Sequence, residues 1–393
     1  MNLPLAGVRV LDAATVLAAP MSASLLAELG AEVIKIEQPG DGDPVRSYAP
    51  YAGDVSLHWR VTGRNKKSVT LDLHTPEGIE LFHRLVGVCD VVVTNFRPRK
   101  LREWNIDYGT LSQIKPDIVM FHLSAFGRSG PYADRPGFAR IAEAMSGLTY
   151  MTGFPDRAPV FAGYPIADGI AGIYGAFTIL AALRHRDLTG EGQLIDLALY
   201  EPMLRMMEDF IVGYSGNGVI KERQGNDQFN ICPNNFYPTA DGKQVILPAS
   251  TDQMWRRLVG LIGDPELMQY RTNQDRLQNR ALIDRRIGDF TQQYPLDKLL
   301  TLFDEHGVAG GKLYTVQDIF EDPHIQARGN LLEIDDEELG RPLTMQAPVP
   351  HYSTITPQVT AAPRLGQHND EVYRDLLHLD EDTMRRYRTR GAI

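Results

Sequence analysis

Asp168 stands at the head of a long run of small and apolar residues that extends to Leu183. Glycines at positions 169, 172 and 175 share roughly one helix face, which would let another backbone approach closely. The spacing predicts that Asp168 is the N-cap, where free N–H groups and the helix dipole would keep its carboxylate ionised. An ionised carboxylate in a close-packed cleft can attack an activated acyl group. The competing interpretation is that Asp168 only caps the helix.

Two groups of basic residues are candidates for binding an anionic ligand. They are Arg64, Lys66 and Lys67 and, further along the chain, Arg97, Arg99, Lys100 and Arg102. Each group could equally be a solvated face, which is the usual state of a charge run. His122, at the end of a predicted strand, also has two interpretations. It is either a residue that faces the cleft or a hydrogen-bonded histidine of the core.

The common cofactor-binding motifs are absent from the sequence. The first strand-to-helix turn, residues 12–20, has no G-x-G-x-x-G pattern, and no G-x-x-x-x-G-K-[ST] loop occurs. No histidine pair has the spacing of a zinc site, and there is no G-x-S-x-G elbow. We therefore expect no metal, nicotinamide, flavin or ATP cofactor.

The elements that must position these residues alternate between strands and helices over the first 130 residues. Strands are predicted at 8–12, 31–37, 69–73, 90–94 and 117–123, with helices at 20–29 and from Thr75 to about Val88. This alternation predicts an α/β fold with a Rossmann-like parallel sheet and helices on both faces. Residues 138–212 are predicted to be mainly helical.

The rest of the chain predicts a second, smaller α+β domain. Residues 213–235 are polar and rich in Gly and Asn, so we place a linker there after a large domain at 1–212. Residues 236–247 predict a hairpin that turns at Asp241-Gly242, and amphipathic helices follow. The small domain is therefore 236–320, and residues 321–393 return to complete the large domain.

Composition narrows the class of protein. The net charge of −10 argues against binding to nucleic acid or to an anionic membrane surface. Cys89 and Cys232 are the only cysteines, which favours a reducing compartment. The N-terminus resembles no targeting peptide, and the apolar run after Asp168 is short of a membrane span. We expect a cytoplasmic protein.

Seven segments together resemble the class III CoA-transferase family, which includes formyl-CoA and carnitine CoA-transferases. The resemblance rests on the order and spacing of Leu5–Asp12, Leu29–Glu37, Asn65–Asp72, Asn95–Pro98, Phe126–Pro131, Thr189–Gln193 and Pro363–His368. It implies that Asp168 is a nucleophile that forms an aspartyl–acyl anhydride and then an aspartyl-CoA thioester. From the glycine placement we infer that backbone N–H groups near Gly169 stabilise the oxyanion, and we expect Gly169 and Phe138 to line the substrate pocket.

The resemblance also implies a site for coenzyme A, the thioester carrier. Positions expected to contact it are Val16, Leu71, His74, Asn95, Phe96, Arg97 and Lys100. Gln38 and Glu103 stand where formyl-CoA transferases carry arginine, so the adenine contacts are expected to differ. Members of the family are interlocked homodimers, which we expect here too.

Three functions remain open at this point. The first is transfer of CoA from an acyl-CoA to a free carboxylic acid. The second is racemisation of a 2-methylacyl-CoA, because racemases share the fold and the aspartate. Their second acid/base group is a histidine where this chain has Phe138, whose ring cannot move a proton. The third is CoA binding without catalysis, against which the retained Asp168 argues.

Two segments give information about which carboxylic acid is the substrate. No glycine run occurs between Lys221 and Asn235, where formyl-CoA transferases have a Gly-rich loop, so formyl-CoA/oxalate exchange is not expected. Residues 196–207 are closer to carnitine-type and dicarboxylate-type relatives, so a dicarboxylate is one candidate for the acid.

Overall fold

The computed structural model describes residues 3–393, whose contacts group into two compact units. The first comprises the chain up to Leu148, Ala162–Asn217 and Ile325–Ile393. The second comprises Thr149–Phe161 and Gly218–His324. The segment predicted as a linker, 213–235, is divided between them, because its first residues end a helix of the first unit.

The described residues form 13 strands and 17 α-helices. Strands, in chain order, are β1 (Arg9–Asp12), β2 (Glu32–Glu37), β3 (Tyr51–Ala52), β4 (Val55–Ser56), β5 (Lys66–Thr70), β6 (Val91–Thr94), β7 (Val119–Ser124), β8 (Gln193–Ala198), β9 (Asn234–Pro238), β10 (Gln244–Pro248), β11 (Gly311–Lys312), β12 (Leu331–Asp336) and β13 (Arg341–Gln346). Helices are α1 (Ala18–Glu28), α2 (Leu57–Thr62), α3 (Pro76–Val88), α4 (Pro98–Glu103), α5 (Tyr108–Ile114), α6 (Ala139–Met145), α7 (Leu148–Met151), α8 (Ile166–Thr189), α9 (Tyr200–Met206), α10 (Glu208–Asn217), α11 (Asp252–Ile262), α12 (Asn273–Gln278), α13 (Arg280–Thr291), α14 (Leu296–His306), α15 (Val316–Glu321), α16 (Pro323–Ala327) and α17 (Glu381–Thr389).

The first unit is built on a parallel sheet with the strand order β5-β2-β1-β6-β7-β8. Counted along the chain this order is 3-2-1-4-5-6, which reverses direction between β1 and β6. The predicted parallel α/β fold is confirmed. The sixth strand, β8, falls in a region that the sequence predicts as mainly helical. It is a strand because it pairs with β7 along its whole length, which is a contact between residues distant in the chain.

Apolar strands explain why the sheet lies inside. Val10, Leu11, Val92 and Phe121 are all fully buried, as expected for strands covered on both faces. Helix α3 begins where the sequence predicts: the Thr75 hydroxyl accepts the Gly78 N–H at 3.0 Å.

Helices α1 and α8 pack closely because α8 has glycines at the contact. A Cβ at Gly172 would lie 2.9 Å from the Met21 side chain. A Cβ at Gly175 would overlap the Ser22 hydroxyl and lie 2.7 Å from the Phe121 ring. The Ser22 hydroxyl also donates to the Gly172 carbonyl at 3.0 Å. The glycine spacing therefore serves a close approach between these two helices.

Gly175→Ala should destabilise the first unit by roughly 1–3 kcal/mol, because the added methyl forces α8 away from α1 and Phe121. Urea unfolding measures the effect. Gly87→Ala is the matched control, since a Cβ at this exposed glycine of α3 meets nothing within 4 Å. Equal midpoints for the two variants would contradict close packing at Gly175.

The second unit contains the predicted hairpin. Strands β9 and β10 pair antiparallel, with Tyr237 opposite Val245, and Gly242 takes a positive φ of 74° in the turn. Helices α11, α13 and α14 bury Trp255, Ile287 and Phe303 against this sheet. An α+β unit follows the large sheet, as the sequence predicts.

Candidate functional site

The loops after β1 and β6 meet where the strand order reverses, which is the usual ligand crevice of such sheets. The Thr15 N–H donates to the Asn95 amide oxygen at 2.9 Å, and the Asn95 amide donates back to the Thr15 carbonyl at 2.8 Å. Val16 has a φ of 69°, unusual for a branched residue. Its N–H lies 3.2 and 3.3 Å from the two carboxylate oxygens of Asp43. Asn95 therefore braces the loop that presents Val16.

A cavity of about 110 Å³ opens beside these loops. Its lining includes three of the predicted CoA-contact residues, Leu71, His74 and Phe96, together with Gln38 and Trp104. The structure thus brings these sequence-predicted positions together at the carboxyl ends of β1, β2, β5 and β6.

Trp104 joins the site without having been singled out in the sequence. Its ring centroid lies 5.0 Å from that of Phe96 and 5.1 Å from that of His74, both nearly perpendicular to it. The Lys100 ammonium lies 5.6 Å from the Trp104 centroid. An aromatic residue one turn after a basic cluster is the signal that could have found it, since purine rings stack on such side chains.

The second basic group remains accessible to an anion. Arg97 is exposed, and no ion pair to it occurs within residues 3–393. The Lys100 ammonium lies 2.9 Å from the Glu103 carboxylate, but the Lys100 side chain is half exposed. Both predicted residues stand at the start of α4, beside the aromatic cluster.

The first basic group is not available to a ligand. Lys66 is fully buried and pairs with Asp12 at 2.8 Å, while Arg64 pairs with Glu28. Lys67 pairs with Glu32 at 2.5 Å and with Glu371 at 2.7 Å. This group is therefore neither a solvated face nor an anion site, because carboxylates from neighbouring elements neutralise its charges.

Buried charges hold the loop after β1 in place. Lys35 pairs with Asp43 at 3.0 Å, and both side chains are almost fully buried. Burial alone would raise the pKa of Asp43, but Lys35 and the N–H groups of Val45 and Val16 lower it overall. An ionised Asp43 therefore fixes the left-handed turn at Val16.

His122 is fully buried and supports the neighbouring loop. Its Nε2 lies 2.7 Å from the Phe96 carbonyl oxygen, and its Nδ1 is 3.8 Å from Asp196. Of the two interpretations offered by the sequence, the core histidine is the one that the structure supports.

Asp168 is the third residue of α8 and not its N-cap. The cap position is Pro165, whose fixed φ starts the helix early, and the Asp168 N–H donates to the Pro165 carbonyl at 3.1 Å. The Gly169 N–H donates to the same carbonyl at 3.3 Å, so it is not a free oxyanion donor here. The predicted cap for Asp168 is wrong.

The Asp168 carboxylate also differs electrostatically from the prediction. Burial first and the charge of Glu143 second raise its pKa to about 6. The carboxylate accepts no hydrogen bond within residues 3–393, so no donor offsets these effects. With a pKa of about 6 the carboxylate is nevertheless mostly ionised at pH 7.

Asp168 and the Val16 loop lie at the same end of the α1–α8 pair. Gly172 packs on Met21, and Asp168 precedes Gly172 by one helical turn, about 6 Å along the axis. Val16 likewise precedes Met21, at the start of α1. Phe138, the N-cap residue of α6, is 77% exposed and offers only an apolar ring.

The chain is similar over nearly its whole length to CoA-transferases and to a solved protein of the CaiB/BaiF family. The chain is 42% identical to the succinyl-CoA–D-citramalate CoA-transferase of Chloroflexus aurantiacus, over 99% of this chain and 98% of that one. It is 35% identical to the succinate–glutarate CoA-transferase of Agrobacterium fabrum, over 95% and 96%. A solved CaiB/BaiF family protein from Brucella suis matches with a TM-score of 0.84 and 33% identity, over 96% and 100%.

These matches favour transfer over racemisation, as does the apolar ring at Phe138. The model of CoA-transferase family III matches residues 5–369. The chain therefore belongs to CoA-transferase family III and is a CoA-transferase enzyme, as its resemblance to that family implied.

Proposed function

We propose that this enzyme moves CoA from succinyl-CoA to a second, short dicarboxylic acid. The observation that carries this is the set of full-length relatives whose names include succinyl-CoA or succinate, with citramalate, malate or glutarate as the other acid. A dicarboxylate also agrees with the interpretation of residues 196–207.

Asp168 is the proposed nucleophile. A carboxylate oxygen of Asp168 attacks the thioester carbonyl carbon, the C–S bond breaks, and CoA leaves as a thiolate. The thiolate attacks the aspartyl carbonyl of the resulting anhydride and releases succinate, leaving an aspartyl-CoA thioester. The second acid then reverses these steps and leaves as its CoA thioester. Covalent catalysis of this kind divides one difficult exchange into easier steps.

The CoA nucleotide is proposed to occupy the crevice between the loops after β1 and β6. Arg97 and Lys100 supply positive charge for the phosphates, as cations commonly do. Leu71, Phe96, His74 and Trp104 supply the apolar and aromatic surface for the adenine. Val16 and Asn95 shape the passage toward Asp168. No metal, nicotinamide or flavin takes part in these steps.

An exchange screen tests the proposed substrates. Purified enzyme is incubated with succinyl-CoA or acetyl-CoA and a panel of mono- and dicarboxylates, and the new thioesters are identified by mass spectrometry. We expect exchange with four- and five-carbon dicarboxylates from succinyl-CoA. Exchange confined to monocarboxylates would contradict the proposed substrate class while leaving CoA transfer intact.

The transfer rate is predicted to rise with pH through about 6. Ionised Asp168 is the reactive form, and its raised pKa means that protonation removes it below that value. The measurement is kcat/KM from pH 4.5 to 8, which reports groups of the free enzyme. A rate independent of pH between 5 and 7 would contradict an ionising nucleophile with this pKa.

A homodimer is proposed from the exposed apolar surface of the first unit. Ile173 and Phe177 of α8 are 56% and 65% exposed, and Ile211, Val212 and Tyr214 of α10 are similarly open. Contrary to the sequence expectation, helix α8 is long and apolar enough to cross a membrane by length and composition alone, because it extends beyond the apolar run at both ends; no other helix within residues 3–393 is. Core helices meet the same criteria, and we propose that a second copy covers this face in a cytoplasmic enzyme.

The oligomeric state is measured by sedimentation of the purified chain without detergent. A dimer near twice 43.9 kDa is expected. A stable monomer, or a protein that stays soluble only in detergent, would contradict the proposal.

A further inference from the structure

Glu143 lies in α6, which packs against α8. Its side chain is only 1% exposed. One carboxylate oxygen accepts a hydrogen bond from Arg140 at 2.8 Å, and Arg140 also donates to the Ala162 carbonyl at 2.9 Å. The other oxygen, Oε1, is buried without a hydrogen-bond partner within residues 3–393. A buried, half-satisfied carboxylate is costly and calls for a reason.

Glu143 is the charged group that acts on Asp168, since burial first and the Glu143 charge second raise the pKa of Asp168. The α1 side chains at the glycine contact, Met21 and Ser22, are uncharged. The ring of Tyr164 packs on Gly169, and burial and the charge of Asp168 raise the pKa of the Tyr164 hydroxyl.

Charged groups on the other elements that pack against α8 are engaged elsewhere. On α9, Glu201 accepts the Ala198 N–H at 2.8 Å and Arg205 pairs with Glu208 at 2.6 Å. On β7, His122 contacts the Phe96 carbonyl, and on β8 Asp196 accepts the Arg128 N–H at 3.0 Å.

We propose that Glu143 is a fixed negative charge that makes Asp168 a stronger nucleophile and favours its acylated forms. Glu143 touches neither substrate in this account and acts only through Asp168. The inference rests on the proposed role of Asp168 as the nucleophile.

The chemistry follows from where the negative charge goes. When an Asp168 oxygen bonds to the acyl carbon and the C–S bond breaks, the charge leaves Asp168 with the CoA thiolate. Asp168 stays uncharged in the anhydride and in the aspartyl-CoA thioester. Repulsion from Glu143 therefore exists only in the free carboxylate, and acylation relieves it. Arg140 holds Glu143 in place so that this repulsion is not lost by rotation.

The test uses wild type, Glu143→Gln and Glu143→Asp, each incubated with succinyl-CoA alone and analysed by peptide mass. The ratio of aspartyl-CoA adduct to free Asp168 should fall about threefold or more in the glutamine variant. The acid limb of its kcat/KM profile should move to lower pH. For Glu143→Asp, which keeps the charge on a shorter side chain, the adduct ratio and the position of the acid limb should lie between those of the glutamine variant and wild type. Glu201→Gln, which removes a charge on α9, is the control and should match wild type in both the adduct ratio and the acid limb.

Each outcome decides the inference. An unchanged adduct ratio and acid limb in Glu143→Gln, with adduct on Asp168 in wild type, would overturn the role of Glu143 alone. Absence of adduct on Asp168 in wild type would overturn both this inference and the proposed function. A merely structural role would lower activity without moving the acid limb to lower pH. If the glutamine variant does not fold, an aspartate variant identical to wild type in both readouts overturns the inference.

Discussion

Asp168→Asn is expected to lower CoA transfer by at least about 1,000-fold, because the nearly isosteric amide keeps the helix but cannot attack the thioester. Transfer from succinyl-CoA to a dicarboxylate is the measurement. CoA binding should be largely retained, since the nucleotide crevice lies in the loops after β1 and β6. Loss of turnover with retained binding would place the defect at the chemical step.

Two companion variants make this result interpretable. The new asparagine would precede Gly169, and such pairs deamidate back to aspartate, so Asp168→Ala is measured beside it and intact mass is checked. Asp187→Asn, at the other end of α8 and exposed, is the matched control and should keep wild-type turnover. Full turnover by the alanine variant would exclude Asp168 as the nucleophile.

Lys66→Met should destabilise the enzyme by about 3–5 kcal/mol, the usual effect of leaving a buried partner charge without its counterion. Lys66 donates to Asp12 and to the Pro20 carbonyl, both at 2.8 Å, and the side chains of both ionic partners are fully buried. Without Lys66, the carboxylate of Asp12 keeps a weak hydrogen bond from the Ala14 N–H at 3.2 Å and the attraction of Lys35, whose direct partner is Asp43. Urea unfolding followed by tryptophan fluorescence measures the loss.

Lys67→Met is the matched control for this prediction. Lys67 is the next residue on β5, and its pairs with Glu32 and Glu371 are partly exposed, so its removal should cost no more than about 1 kcal/mol. Adding Asp12→Leu to Lys66→Met should recover part of the stability, because it removes the uncompensated charge. Equal unfolding midpoints for the two lysine variants would contradict a buried ion pair at Lys66.

Local signals explain why much of the first unit could be predicted. The alternation of strands and helices depends on residue patterns within each segment, and the Thr75 cap is a short-range hydrogen bond. The glycines of α8 indicated a close approach because their spacing is that of a helix face. Residues on four strand ends came together in one cavity because carboxyl ends of parallel strands meet at the same edge of a sheet.

Long-range pairing explains what could not be predicted. The first basic group lost its availability because β5 lies beside β2, which places Lys67 opposite Ile34 and near Glu32. Nothing close to Lys66 in the chain announces Asp12. The environment of Asp168 was likewise set by tertiary packing, because burial first and the charge of Glu143 on α6 second raise the pKa of Asp168. The cap was misassigned because Pro165 starts the helix before the first polar residue.

Transfer of an oxygen atom tests the central role of Asp168 most directly. The enzyme is incubated with succinyl-CoA and an acceptor dicarboxylate labelled with ¹⁸O in its carboxylates, and the peptide that contains Asp168 is analysed by mass. Collapse of the second anhydride leaves one acceptor oxygen in the thioester carbonyl and the other in the aspartate. Heavy oxygen on Asp168 is the predicted result, and label-free Asp168 after complete turnover would contradict the account.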